Sequence, residues 1–599
     1  MLRCARNDSL FPSVTEALRS LQPFAGHRFK FGLKSCGFGS DPSVGDLVEA
    51  TTHPISYSVG HHPGHGTKKF LDRYAGVIFV AVATVVPHIL FSWTTYTPTD
   101  EGFNLSYSRR ILEGQIPHLD FIIIRPFISP LLHVPLVFLG GNYTYWISRL
   151  EMYFQFATMS WVWVLIFTHL RPVLSTREKL ACALTTFVMC MHFWGPPSWH
   201  TTDALWLASL GFWLCLILNP NVRWIGYFVI GLAYLCKQSF LFAGVIACVV
   251  NGDYRRSSDW IAMLAPGFLY FAYLFLAGVD LRAALMQLAS HTDFIGYAAI
   301  TYVRLHFIVG LLLGIALLLT CDTKFSASSR WMSPAYFSVV LLPPAYGLLL
   351  REWQFLGFHT FGMAAGAAFY FFLRRDTGVS PYFRIAILSL VAAWSSAISI
   401  GYNSPVLGSG LTTLVLVAYG MEKFRPFAGR ISGVFLSGLL AVLMFAFVWG
   451  RVGLYFTFHD TWPSHSLSSV LPGGSLLHGN PATYDVLADL NRAIQTISDE
   501  GKQYAIVSDF PGWWVQARQT NPLPLDWLIP IEASRPELVN RVLDAMQANR
   551  GRVIYLVPKY SALGLGYGSL NLNRPEPEAK FVMKHFRRLG QTRFFVLYG

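Results

Sequence analysis

Between residues 74 and 450 the chain alternates long apolar runs with short polar connections. Apolar windows fall at about 74–94, 149–169, 179–194, 203–218, 224–236, 238–250, 258–278, 305–320, 334–350, 358–373, 383–400, 407–421 and 431–449. Roughly 20 apolar helical residues cross a bilayer, so the shorter windows need tilt or flanking residues to span. The pattern predicts about 13 transmembrane helices. After Trp449 it changes. Short β-rich runs, "YAIVSD", "RVIYLVP" and "RFFVLYG", alternate with helical stretches, "YDVLADLNRAIQTIS", "RPELVNRVLDAMQAN" and "EAKFVMKHFRRL". These predict a small C-terminal α/β soluble domain over 451–599. Its "GLGYGS" lacks the strand-turn-helix frame that a nucleotide site needs. Residues 1–73 have no long apolar run and no signal-peptide plan, and read as a cytoplasmic extension without fixed structure. The His61, His62, His65 tract fits a solvated linker better than a metal site.

Composition narrows the class. Hydrophobic residues make up 53% of the 599 and charged residues 13%, with a mean hydropathy of +0.42, so little of the chain can offer a water-soluble surface. The net charge of +13 would suit nucleic acid if it were concentrated, but the basic residues are dispersed between apolar runs, which excludes nucleic acid as the expected partner. Alternate connections carry them: "RPVLSTREK", "NPNVRW", "NGDYRRSSD", "CDTKFSASSR", "RRDTGVSPYFR" and "MEKFRPFAGR". The positive-inside rule makes these cytoplasmic. The intervening connections are rich in Trp, Tyr, His and Asp and face outward. Thirteen passes from a cytoplasmic N-terminus leave the tail outside. The expected location is a bacterial inner (plasma) membrane, with membrane lipids as neighbours. The eight cysteines, at 4, 36, 182, 190, 215, 236, 248 and 321, form neither a disulfide framework nor a CxxC site.

Candidate chemistry concentrates in the first outward connection, "YTPTDEGFNLSYSRRILEGQIPHLDF". Thr99 is expected as an N-cap, with Asp100, Glu101 and Gly102 in the first turn of a helix that stops at Gly114. An acid at a helix start is explained by the dipole alone. The loop is nevertheless about 50 residues long, and its second half, "RPFISPLLHVPLVFLGG", reads as embedded without spanning. Ordered loops of that length are more often functional than connective. Arg109, Arg110 and Arg125 place cations near the carboxylates.

Asp100-Glu101-Gly102, then "RRILEGQIPHLDF" and "RPFISPLLHVPLVFLGGN", with Arg149 opening the next pass, resembles the first outward loop of the GT-C membrane glycosyltransferases. The nearest group is the polyprenyl-phosphate-sugar-dependent protein mannosyltransferases and aminoarabinose transferases. Thr202-Asp203-Ala204-Leu205 is similar to the group's second acidic position. "GLAYLCKQSFLF", with Lys237 and Gln238, is similar to its glycine-leucine…lysine element, although glycine usually follows that lysine. The Leu-Phe-Leu-type motifs of the eukaryotic mannosyltransferases are not evident. The resemblance covers 74–450 in layout and is specific in those three stretches. It implies a transmembrane glycosyltransferase domain over 74–450 with amphipathic helices in its first loop. The implied activity moves a sugar, with inversion, from a polyprenyl-phosphate donor to an envelope glycan, lipid or protein on the outer face. The alternative class is a polytopic transporter or lipid-linked sugar flippase.

Such chemistry needs a carboxylate to take the acceptor's proton and cations to receive the departing phosphate. Asp100 is the expected base, with Glu101 positioning the acceptor or completing the helix cap, and Asp203 a further acid or a helix-starting residue. Lys237 is the first phosphate candidate, against snorkelling to the interface. Arg109, Arg110, Arg304 and Arg351 suit phosphate, lipid headgroups or topology. His200 lies one turn from Asp203 and would orient it or assist a metal, but two residues make no metal site, and no cofactor is required. "SHTDF" at 290–294 and "GYNSPVLGSG" are loop segments that would border the site. Trp513, Trp514 and Trp527 suit sugar stacking, a core or the interface.

Overall fold

The structure is a computed structural model. It describes residues 65–599 apart from 95, 99, 192–197, 291–301, 323–330, 375–379, 398–403, 425–429, 458–462, 509, 529–534 and 560–576. The expected N-terminal extension up to residue 64, Thr99, most of "SHTDF", the start of "GYNSPVLGSG" and the "GLGYGS" cluster lie outside the described residues.

Each expected apolar window falls on a helix. These are α1 (His65–Phe91), α4 (Thr144–Leu170), α5 (Thr176–Cys190), α6 (His200–Ile217), α7 (Trp224–Tyr234), α8 (Leu241–Val250), α9 (Ser257–Leu276), α11 (Leu305–Cys321), α12 (Met332–Leu350), α13 (Trp353–Leu373), α14 (Pro381–Ala397), α15 (Ser409–Phe424) and α16 (Arg430–Thr457). Among the described residues the other α-helices before α16 are α2 (Phe103–Leu112) and α3 (Ile128–Gly140) in the first loop, and α10 (Leu281–Leu288). Among the described residues six segments are long and apolar enough to cross a membrane: Arg73–Phe91, Ile128–Leu170, Ser257–Leu276, Met332–Leu350, Trp353–Leu373 and Gly433–Arg451. Apolar side chains such as Val82, Ile89, Phe268, Leu276 and Phe445 are exposed, a surface suited to lipid rather than water. The protein is an integral membrane protein.

Local rules explain several elements. Ser175 and Glu178 close a capping box at the start of α5, which satisfies two of its free N–H groups. Helices α11 and α13 approach through two interlocked small-residue pairs. A Cβ on Gly310 would stand 2.3 Å from the His359 carbonyl oxygen, and one on Gly366 2.3 Å from that of Leu311, so only glycine permits this spacing.

The basic connections gather at one end of the bundle. Arg171 pairs with Glu422, Asp322 with Arg374 and Lys423, and Arg223 with Asp253. The Tyr382 hydroxyl also reaches Glu422. The alternation read from the sequence therefore sorts the connections by end, as proposed for opposite faces of a membrane.

The tail carries its own sheet but belongs to the same compact unit as the bundle, residues 64–599. Helices α17 (Pro481–Asp499), α18 (Pro511–Trp514), α19 (Pro536–Ala548) and α20 (Pro577–His585) accompany two sheets. A short antiparallel ribbon pairs β1 (His465–Ser466) with β2 (His478–Gly479). The larger sheet has the order β3 (Gln503–Ile506), β4 (Val553–Pro558), β6 (Phe595–Tyr598), β5 (Arg588–Gln591). Its β3–β4 pair is parallel and the others antiparallel. The last expected helix is shorter than its sequence suggested. It ends at His585, because Arg588–Gln591 doubles back as a hairpin partner of β6. Tyr96, Leu105 and Tyr145 share a core with Leu487, Ile506 and Phe595, and Ile122 and Ile124 share another with Ala505 and Val557. Thus the first loop and the tail are packed as one body.

Candidate active site

The first loop is held at the bundle's other end by a buried clamp. Arg149, near the start of α4, donates Nη2 to Glu101 Oε2 at 2.8 Å and Nε to Oε1 at 2.5 Å. Its Nη1 reaches the carbonyls of Ser92 and Thr94 at 2.5 and 2.8 Å. One guanidinium thus ties the end of α1, the acidic turn and α4 together. Glu101 is committed to that bidentate pair. The expected cap is different in detail: α2 begins at Phe103 with Gly102 at the cap and no side-chain cap bond, so Asp100 and Glu101 precede the helix. Gly102 is required by the tail, since a Cβ there would lie 2.0 Å from Gly512 Cα.

Asp100 is half-buried beside this clamp. Among the described residues no hydrogen bond or ion pair holds its carboxylate. Burial first, and the Glu101 charge second, push its pKa up to about 6. Three residues on, Phe103 is a junction. The Arg125 guanidinium lies 5.6 Å above its ring, Trp527 of the tail stacks on it at 4.7 Å, and Trp199 and His200 meet it edge-on at 6.0 and 5.7 Å.

Lys237, in the turn between α7 and α8, is buried and donates Nζ to the Ser396 carbonyl at 2.8 Å. Burial, and then the positive charge of Arg125, hold its ammonium well below the usual lysine range. Two cations that repel in a desolvated place favour an anion between them. Gln238 is exposed and reaches the carbonyls of Ile124 and Leu288 at 3.3 and 3.4 Å, fastening the loop to this turn.

Asp203, in the first turn of α6, is fully buried and held on both oxygens. Oδ2 accepts from Ser129 at 2.5 Å and lies 3.0 Å from His133 Nε2, and Oδ1 accepts from Gln155 at 2.9 Å. The imidazole on Asp203 is that of His133 in α3, while His200 turns to Phe103. His133 was missed because a lone histidine in "LLHVPL" reads as core. The signal was Glu151 and Gln155, four apart on one face of an apolar helix.

The remaining arginines lie elsewhere. Arg110 forks onto Asp526 of the tail, with Nε–Oδ2 2.7 Å and Nη2–Oδ1 2.6 Å, and so ties α2 to the tail. Arg109 pairs with Glu113 at 2.6 Å across the C-terminal end of α2. Arg304 bonds Gln354 and covers the Phe358 ring. Arg351 ends α12 in a left-handed conformation, φ 60°. Trp513 donates to the Tyr504 hydroxyl at 2.8 Å and Trp514 stacks on the same ring. Both therefore build the tail core, and of the three tryptophans it is Trp527 that joins the Phe103 cluster. Among the described residues no cluster of His, Cys, Asp and Glu has the makings of a metal site.

No protein-family model and no curated protein matches the chain. Solved structures align along much of it. ArnT from Cupriavidus metallidurans bound to undecaprenyl phosphate aligns over 87% of this chain and 97% of its own, with 13% identity and a TM-score of 0.40. An Archaeoglobus fulgidus oligosaccharyltransferase tethered with an acceptor peptide aligns over 88% and 74%, with 12% identity and 0.40. The arabinosyltransferase EmbB from Mycobacterium smegmatis aligns over 77% and 44%, with 12% identity and 0.34, so the chain spans less than half of EmbB. The class set by the chain's own architecture is a polytopic helical membrane protein whose soluble α/β tail is docked on its first loop.

Proposed function

We propose that the protein is an inverting glycosyltransferase that moves a sugar from a polyprenyl-phosphate donor to an envelope acceptor at the non-cytoplasmic face. The observation that carries this reading is the difference between three neighbouring acids. Glu101 is clamped by Arg149 and Asp203 by Ser129, His133 and Gln155, while Asp100 is held by no donor among the described residues. A carboxylate with a pKa near 6 is a better base than an ordinary aspartate and is still ionised at neutral pH.

In this reading Asp100 accepts the acceptor's proton as the nucleophilic atom bonds to the anomeric carbon. The opposite C–O bond breaks, and its electron pair leaves with the polyprenyl phosphate. Lys237 and Arg125 receive that phosphate, and the Phe103 and Trp527 rings wall the place between them. Glu101 and Arg149 keep the turn in place without touching substrate. Membrane helices bring the lipid donor to the same end where the tail and loop face water.

Purified protein in polyprenyl-phosphate-sugar vesicles tests this by release of radiolabelled sugar onto acceptor. Lys237→Ala removes a charge-assisted contact of about 1.5–3 kcal/mol, so donor KM should rise roughly ten- to a hundred-fold. Transport of intact donor across the vesicle without transfer would identify a flippase instead.

A further inference from the structure

The buried cluster behind Asp203 contains more than that acid needs for support. His133 Nε2 lies 3.0 Å from Asp203 Oδ2, and His133 Nδ1 lies 2.8 Å from Glu151 Oε2. The imidazole is completely buried between α3, α4 and α6, and Glu151 is about a quarter exposed. The charged groups facing the ring are Asp203 from α6 and Glu151 from α4. Asn104 of α2 reaches the cluster through Ser129 at 3.0 Å, and Gln155 bridges the two acids, at 2.9 Å from Asp203 and 3.4 Å from Glu151.

Hydrogen counting decides the ring's state. A neutral imidazole has one N–H and one acceptor nitrogen, and an ionised carboxylate donates nothing. With a carboxylate at each nitrogen, a neutral ring would set one lone pair against another in a buried site. One bound proton removes the conflict and leaves one net negative charge on the three groups instead of two. An ionisable cluster inside a membrane bundle is costly unless each member is answered, and this proton answers both acids.

We propose that His133 is a positioning residue for sugar transfer: a doubly protonated imidazolium clamped between Asp203 and Glu151, whose proton exchanges with the outside through Glu151. Loss of the proton leaves one N–H for two acids, so one contact opens. Either α3 releases α6 or it releases α4, and the first loop that carries Asp100 loses its registry with the Lys237 turn. The kinetic consequence rests on the glycosyltransferase reading, but the protonation state does not.

The two parts are tested separately. In the full-length protein labelled with 15N-histidine, solid-state NMR at pH 7 should show an imidazole protonated on both nitrogens whose signal moves in Glu151→Gln. Absence of such a signal overturns the proposal, with no need for a His133 variant. In transfer assays His133→Gln should lower kcat about ten- to a hundred-fold, as a small misplacement does, leave donor KM within twofold and abolish the alkaline limb of the pH–rate profile. Glu151→Gln removes an anion that favours the imidazolium, so the limb should move to lower pH. An unchanged limb in both variants also overturns the proposal. A doubly protonated ring in a protein that transfers no sugar would leave the His133 assignment standing and remove the transferase reading.

Discussion

Asp100 and Glu101 are neighbours in the chain and opposites in environment, and that difference gives each a separate experimental signature. The Asp100 carboxyl must be ionised to accept a proton, so the acid limb of kcat/KM should rise with pH through about 6 to a plateau that ends where the alkaline limb assigned to His133 begins. Asp100→Asn cannot accept the proton, and transfer should fall by about 10²–10⁴. Stability should move the other way. Because folding raises this carboxyl's pKa, the folded state disfavours its charged form, a penalty present at pH 7 that disappears as pH falls below the ordinary aspartate range. Asparagine carries no such penalty, so the variant should melt slightly higher than wild type at pH 7 and equally at pH 3.5. Normal turnover in Asp100→Asn would return the residue to a structural role. Glu101→Gln should behave differently, with loss of folded protein, because it leaves the buried Arg149 charge unanswered, at about 3–5 kcal/mol.

At the scale of elements, α2 works as a connector between bundle and tail. Its buried Arg110 answers Asp526, Glu113 meets Thr520, and Arg541 of α19 reaches the carbonyls of His118 and Leu119. His118, in a left-handed conformation with φ 68°, has its pKa lowered to about 4, chiefly by burial, and so stands neutral between Tyr270 and Gln287. Arg110→Ala should free the tail for limited proteolysis while the bundle stays folded, since Asp526 keeps Asn521 as a partner at 3.0 Å. An unchanged cleavage rate would show that the shared apolar cores alone hold the tail. The helices themselves are legible because each apolar run must bury or meet lipid somewhere along its own length, and the first loop helix because an acidic turn and Gly114 bracket it as start and stop. The clamps are not. Glu101 and Arg149 lie 48 residues apart and Arg110 and Asp526 lie 416 apart. Nothing local distinguishes an arginine that will meet a carboxylate from one that will meet a phosphate. For Asp203 the sequence offers the imidazole of His200, one helical turn away, whereas the imidazole that reaches it is that of His133 in α3.

For the molecule as a whole, the question that decides the proposal is which end faces out. The ion pairs among Arg171, Arg223, Asp253, Asp322, Arg374, Glu422 and Lys423 collect the basic connections at one end, and positive charge is retained on the cytoplasmic side. The end that carries Asp100, Lys237 and the tail should therefore be outside, where a lipid-borne donor and a water-borne acceptor meet. Single cysteines report this without disturbing either site. Asn142 beside α4, Ser498 in α17 of the tail and Asn219 between α6 and α7 are all exposed. The described native cysteines are buried, so replacing Cys4 and Cys36 with serine leaves a quiet background. In intact cells an impermeant maleimide should label Asn142→Cys and Ser498→Cys and leave Asn219→Cys untouched until the membrane is opened. Labelling of Asn219→Cys alone would invert the topology and place the Asp100 loop in the cytoplasm, where the proposed outer-face acceptor does not exist. Labelling of Asn142→Cys without Ser498→Cys would contradict the shared cores of loop and tail, since Tyr145 and Ile506 cannot meet across a bilayer about 30 Å thick.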